Sequence, residues 1–172
     1  NLLEQTPRGT PVSLGVDVAL EDAVRKGEDL ILNREYDEAL LFFEDVDANY
    51  KDSALGAVGK VMVYQAKMLE NGDFAEEKSF DAAVKIAEKK LAKALDDPGE
   101  EVWDRMLTGG FHGVRGMHAM RKKKYWTAID DGWEALSLMK WVKKKEPDLA
   151  DTYLGLGAYD YYRSAMTSNV SW

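Results

Sequence analysis

The run EALSLMKWVKKKEPDLADTYLGLGAYDYY, residues 134–162, decides the fold. Leu136 and Met139, with Trp133 and Ile129 just upstream, recur at three- and four-residue steps, the period of an amphipathic helix. Glu146-Pro147 stops that helix, because proline lacks an N–H and disfavours a helical residue before it. A second helix, about 148–165, follows at once and ends rich in tyrosine. Helices joined so tightly pack as antiparallel neighbours.

Upstream the same period persists to Asp17. The spacing predicts helices over about 17–33, 37–49, 53–71, 75–96, 100–122 and 125–145, seven in all with 148–165. Asp52-Ser53 can cap the third helix, Asn71-Gly72 ends it, and Asp97-Pro98-Gly99 follows the fourth. No period-two alternation is sustained, so no strand is expected. Residues 1–16, with two prolines, read as an extended lead-in, and the opening Asn1 implies a processed chain or fragment. A single helical domain over 17–165 then comprises hairpins at 17–49, 53–97 and 100–146 plus helix 148–165. That last helix is half a hairpin, so either more helices are expected beyond the terminal stretch 166–172 or another subunit covers it.

The hairpins also carry a repeat signal. Gly27, Ala39 and Phe43 stand at the mutual spacing of the G, A and F in W-x2-L-G-x2-Y…A-x3-F…P. Ala135 precedes Pro147 by 12 positions, with Met139 in the Phe place, and Tyr153-x2-Leu156-Gly157 continues the register. On these residues the chain resembles the tetratricopeptide repeat family. The middle hairpin departs from it: Leu55, Val58 and Gly59 imitate a first helix, but Ala83 falls beyond its expected distance. Hairpins two and three should therefore be longer than standard by roughly one to three turns each. The resemblance implies an all-α, right-handed superhelical array of antiparallel hairpins, a noncatalytic interaction role, and a protein or peptide partner on the concave face. Carried over position by position, it places Asp151, Leu154, Ala158, Tyr161 and Tyr162 in the groove, with Arg163 beside them. The Gly-rich fifth helix before LGLGAYDY is also similar to bacterial helical-repeat proteins, which are often exported, and so implies an exported or periplasmic location.

In that fifth helix Gly109, Gly113 and Gly116 recur at i, i+4 and i+7. Each glycine costs a helix about 1 kcal/mol relative to alanine. The face therefore serves close helix packing, or else a hinge or ligand-facing groove. If packing, Gly113→Leu should destabilise by more than about 2 kcal/mol. If a groove, His112, Arg115 and His118 are the candidate pocket residues for a small ligand.

Composition narrows the chemistry. The 172 residues include 31 acidic and 23 basic side chains, net −8, which argues against nucleic-acid binding. Residues 1–100 carry 12 basic and 22 acidic groups, net −10, whereas residues 101–172 carry 11 and 9, net +2. This polarity implies ends that contact different surfaces, of one partner or of two copies of the chain. No cysteine is present, which excludes disulfides and thiolate sites. No apolar run approaches the ~20 residues of a membrane span.

His112 and His118 lie about 240° apart on one helix and do not share a face for a metal. Asp96-Asp97 and Asp130-Asp131 are adjacent, so their side chains diverge as solvated charges. No nucleophile turn or phosphate loop occurs, and no catalytic residue, metal or cofactor is expected. Arg121-Lys122-Lys123-Lys124 and Lys143-Lys144-Lys145 sit at helix C-termini, where cations complement the macrodipole, or else form a patch for an acidic partner.

Overall fold

A computed structural model describes residues 18–96 and 101–149 and the single positions 152, 153, 156, 157, 160 and 164. The helices are α1 (Val18–Leu32), α2 (Tyr36–Asn49), α3 (Leu55–Asn71), α4 (Glu77–Leu95), α5 (Glu101–Arg121) and α6 (Tyr125–Lys145). The described residues contain no strand, and every helix boundary falls within two residues of the periodic reading. Six helices are delimited, not seven. Beyond Lys145 the described positions Thr152, Tyr153, Leu156, Gly157, Asp160 and Ser164 are helical, and the rest of 150–165 lies outside the described residues. The lead-in 1–16 and the stretch 166–172 lie outside the described residues.

Local chemistry sets the ends. Gly72 closes α3 in the left-handed conformation, φ 68°, with its N–H turned back to Leu69 and Met68 carbonyls. At the head of α3 the N-cap is Ala54, and Ser53 Oγ accepts the Leu55 N–H at 3.2 Å. The α1–α2 and α5–α6 turns are built alike. Arg34 (φ 64°) and Lys123 (φ 59°) each take the left-handed conformation. Glu35 N–H donates to Leu30 O and Lys124 N–H to Ala119 O, both at 2.9 Å. These paired bonds satisfy the last carbonyls of α1 and α5.

Helix α3 is the hub, packing against α1, α2, α4 and α5, whereas α6 packs against α5 alone among the described helices. Its composition explains the difference: Leu55, Val58, Val61, Val63 and Met68 are buried around most of its circumference, and so is the amide of Gln65. Phe43 of α2 fills the seam between α1 and α3. A Cβ on Gly27 or on Gly59 would lie 2.2 Å from a carbon of its ring, so both positions must be glycine for the helices to close on it. Gly56 abuts the α2 backbone at Asp47 in the same way. Helix α4 buries Phe80, Ala83, Ala87 and Leu91, one stripe at helical spacing. Its Lys90 reaches back to Asp47 Oδ1 at 2.8 Å and to the Lys51 and Ser53 carbonyls, fastening the α2–α3 connection.

Partner numbering gives the relative directions. His118 meets Gln65 and Arg121 meets the Met68 carbonyl, so α5 runs parallel to α3. Gly109 meets Met139 and Gly116 meets Asp131, so α6 runs antiparallel to α5. Gly109 thus faces Met139 as Gly27 faces Phe43, but across a longer hairpin: α5 and α6 have 21 residues each, against 15 and 14 for α1 and α2. The gain over the first hairpin is close to two turns per helix.

Two further expectations change. Gly113 does not mark a close crossing, since a Cβ there would meet nothing within 4 Å. The packed glycines are Gly109, whose Cβ would lie 2.7 Å from Met139 Cε, and Gly116, whose Cβ would lie 3.1 Å from that of Asp131. Helix α6 is also rotated relative to its apolar pattern. It buries Ala128, Asp131, Leu136, Leu138, Met139 and Val142, so Leu136 and Met139 of the expected stripe turn inward while Ile129 and Trp133 stay out. The reason is that the small α5 glycines accept one face of α6, and that face carries Asp131.

Candidate functional site

The polar cluster of the fold lies where α4, α5 and α6 meet. Asp131 of α6 is only 2% exposed, the deepest carboxylate of the described core. Arg115, on α5, donates from Nε to both Asp131 oxygens at 2.9 Å, and its terminal nitrogens pair with Asp131 and with Glu88 of α4. His112, one turn earlier, donates from Nδ1 to Asp131 Oδ1 at 2.8 Å. The guanidinium also stands 5.3 Å from the Phe111 ring centre.

The electrostatics follow from this crowding. Burial pushes the Asp131 carboxyl up, but the His112 and Arg115 hydrogen bonds overcome it and hold the group below its ordinary value. The hydrogen bonds with Asp131 raise Arg115 against its own desolvation. A carboxylate beneath a histidine Nδ1 has the orientation of a general-base dyad. Here its charge is already matched by a guanidinium, so the arrangement works as a clamp across three helices.

His118 does not join that cluster. It lies on the α3–α4 side of α5, stacked on Phe80 with ring centres 4.1 Å apart, and its Nδ1 donates to Gln65 Oε1 at 2.9 Å. Burial lowers its pKa, so the neutral ring is the folded form. The structure therefore brings His112 and Arg115 together and places His118 elsewhere. The described residues contain no group of three or more His, Asp or Glu side chains able to hold a metal ion.

The adjacent Asp130-Asp131 pair does diverge, but only Asp130 is a solvated charge. Sequence reasoning missed Asp131 and Glu88, the α4 partner of Arg115. One signal was available: Asp131 falls in line with Ala128, Ala135, Leu138 and Val142 at helical spacing, the small-and-aliphatic face of α6. The basic run at 121–124 is likewise more than a dipole effect. Arg121 donates to the carbonyls of Met68 and Asp73 at 3.0 and 2.9 Å and lies over Phe74, while Lys122 pairs with Glu77. In the second run, Lys143 sits 4.1 Å above the Tyr153 ring and Lys145 5.3 Å from that of Trp141.

The proposed groove residues Asp151, Leu154, Ala158, Tyr161, Tyr162 and Arg163 lie outside the described residues. Two surface features are described instead. A depression of about 410 Å³ separates α1 from α2, between Ala19, Ala23 and Lys26 on one side and Phe42, Val46 and Tyr50 on the other. On α5, Gly113 borders open space and Gly110 faces only Met62 of α3, at 3.7 Å. Among the described residues no helix is long and apolar enough to cross a membrane. No family model, curated protein or solved structure matches the chain.

Proposed function

We propose that the chain is a noncatalytic interaction scaffold, a right-handed array of stacked hairpins of tetratricopeptide-like design. Its α1–α3–α5 face receives an extended peptide or protein segment. The observation that carries this reading is the open backbone at Gly110 and Gly113, beside α3, on a helix parallel to it. Neither glycine is required by a neighbouring helix, yet each costs helix stability, so their use lies in what approaches from outside. Two contacts support the stacking: α1 packs on α3 and α3 on α5, while the described even-numbered helices do not pack on one another and α2 and α4 meet through the Lys90–Asp47 ion pair. Stacked hairpins of this kind bury a continuous core and present an extended surface.

The test is selection of peptides from a display library on the full chain, repeated with Gly110→Gln/Gly113→Gln. The selected peptides should bind the parent and lose affinity for the variant, whose helicity is kept and whose thermal midpoint does not fall. Equal binding to both would move the interaction off this face.

A further inference from the structure

We propose that the outer face of α6 is a self-association surface on which a second copy of this chain docks, α6 against α6 and antiparallel. Single exposed apolar residues are ordinary on a protein surface, but a row of them on one helical face is not. Trp126, Ile129 and Trp133 stand at i, i+3 and i+7, with exposures of 82%, 40% and 62%. They point away from α5, the one described helix that packs on α6.

Charge at the two ends of the row favours this occupant and direction, against the repulsion of the two Asp130 carboxylates that lie beside the axis. Lys123 and Lys124 are exposed at the head of α6, and Glu134 is exposed beside Trp133. Laying Trp126 of one copy on Trp133 of the other brings Glu134 next to the lysines of its mate. The two-fold operation makes that contact twice. A parallel pairing would instead set Glu134 against Glu134. Two tryptophans at these exposures leave roughly 200–400 Å² of aromatic surface per copy. The pair would therefore bury less than the roughly 1,200 Å² of a stable complex, which makes the dimer weak and rapidly exchanging.

Sedimentation of the full chain across the micromolar range tests this. The parent should dimerise reversibly, and Trp126→Ala/Trp133→Ala should raise the dissociation constant at least tenfold without changing helicity. Glu134→Lys should weaken the dimer, as should Lys123→Glu/Lys124→Glu, and the three charge changes together should restore it. Since the chain has no cysteine, register is read by oxidation: Asp130→Cys, beside the axis, should link two copies, and Ser137→Cys, about 20 Å from its mate, should not. A chain that stays monomeric while its tryptophans are shielded from quencher would mean that its own residues 150–172 cover the face, and would overturn the proposal. Dimers indifferent to the tryptophan pair, or linked through Ser137→Cys alone, would overturn it too.

Discussion

In the first hairpin α1 and α2 close on an aromatic ring, Phe43, which also seats against Gly59 of α3; in the third, α5 and α6 close on a carboxylate, Asp131, held by Arg115 and His112. Both hairpins turn through one left-handed residue with the same carbonyl bonds, and both set a glycine against the helix that returns. The turn therefore fixes topology and leaves the chemistry of the seam free. An apolar seam is indifferent to pH and salt. A buried ion cluster is directional: it sets the rotation of α6, and it depends on every member keeping its charge.

The largest expected effect breaks the apolar seam. Phe43→Ala should cost about 3–5 kcal/mol by chemical denaturation, because the ring is buried and the two glycines beside it cannot fill the space. A loss equal at pH 4 and pH 7 keeps the comparison; a strongly pH-dependent loss breaks it.

Asp131→Asn comes next, at about 2–3 kcal/mol near neutral pH. Arg115 keeps Glu88 and some solvent, which tempers the full cost of an orphaned buried charge. The sign with pH is fixed by linkage. The folded Asp131 titrates below its unfolded value of about 3.9, so its contribution is complete above that value and fades as pH falls through the folded one. The gap between parent and variant should shrink below about pH 4. His118 also destabilises the fold as pH drops from about 6.5, since burial lowers its pKa, but it does so equally in both proteins and cancels from the difference.

The smallest effects sharpen the comparison inside one helix. Gly116→Leu should lose about 1–3 kcal/mol to overpacking against Asp131, while Gly113→Leu should lose nothing and could gain up to about 1 kcal/mol from helix propensity. Thermal melts of the two variants read it directly. Equal losses would mean that α5 has no open face.

Six helices and their ends were legible because stop signals such as Asn71-Gly72 and Glu146-Pro147 act locally, through backbone conformation and missing N–H groups. So was the Gly27–Ala39–Phe43 spacing, whose steric logic is carried by residue size. The rotation of α6 was not. Apolar periodicity assigns Trp133 inward, and only the facing glycines of α5, with Arg115 and His112 beside them, show why Asp131 takes that place. The cluster itself joins residues 88, 112, 115 and 131 across three helices, and no local pattern ties Glu88 to the other three. Gly113 misled for a related reason: spacing puts it near Gly109 and Gly116, but a helical step of four carries it far enough round to face solvent.

The hub position of α3 gives the molecule an uneven grain. Four helices lean on α3, whereas α6 is secured to the described helices by a single seam. Loosening α3 would release α1, α2, α4 and α5 together, so its amides should be among the slowest to exchange with solvent. The peeling of α6 would leave the other five helices with their mutual contacts intact. Yet the seam that holds α6 is the most extensive of the described fold, and the thinnest attachment is that of α1, so the described fold should give way first at its amino-terminal helix.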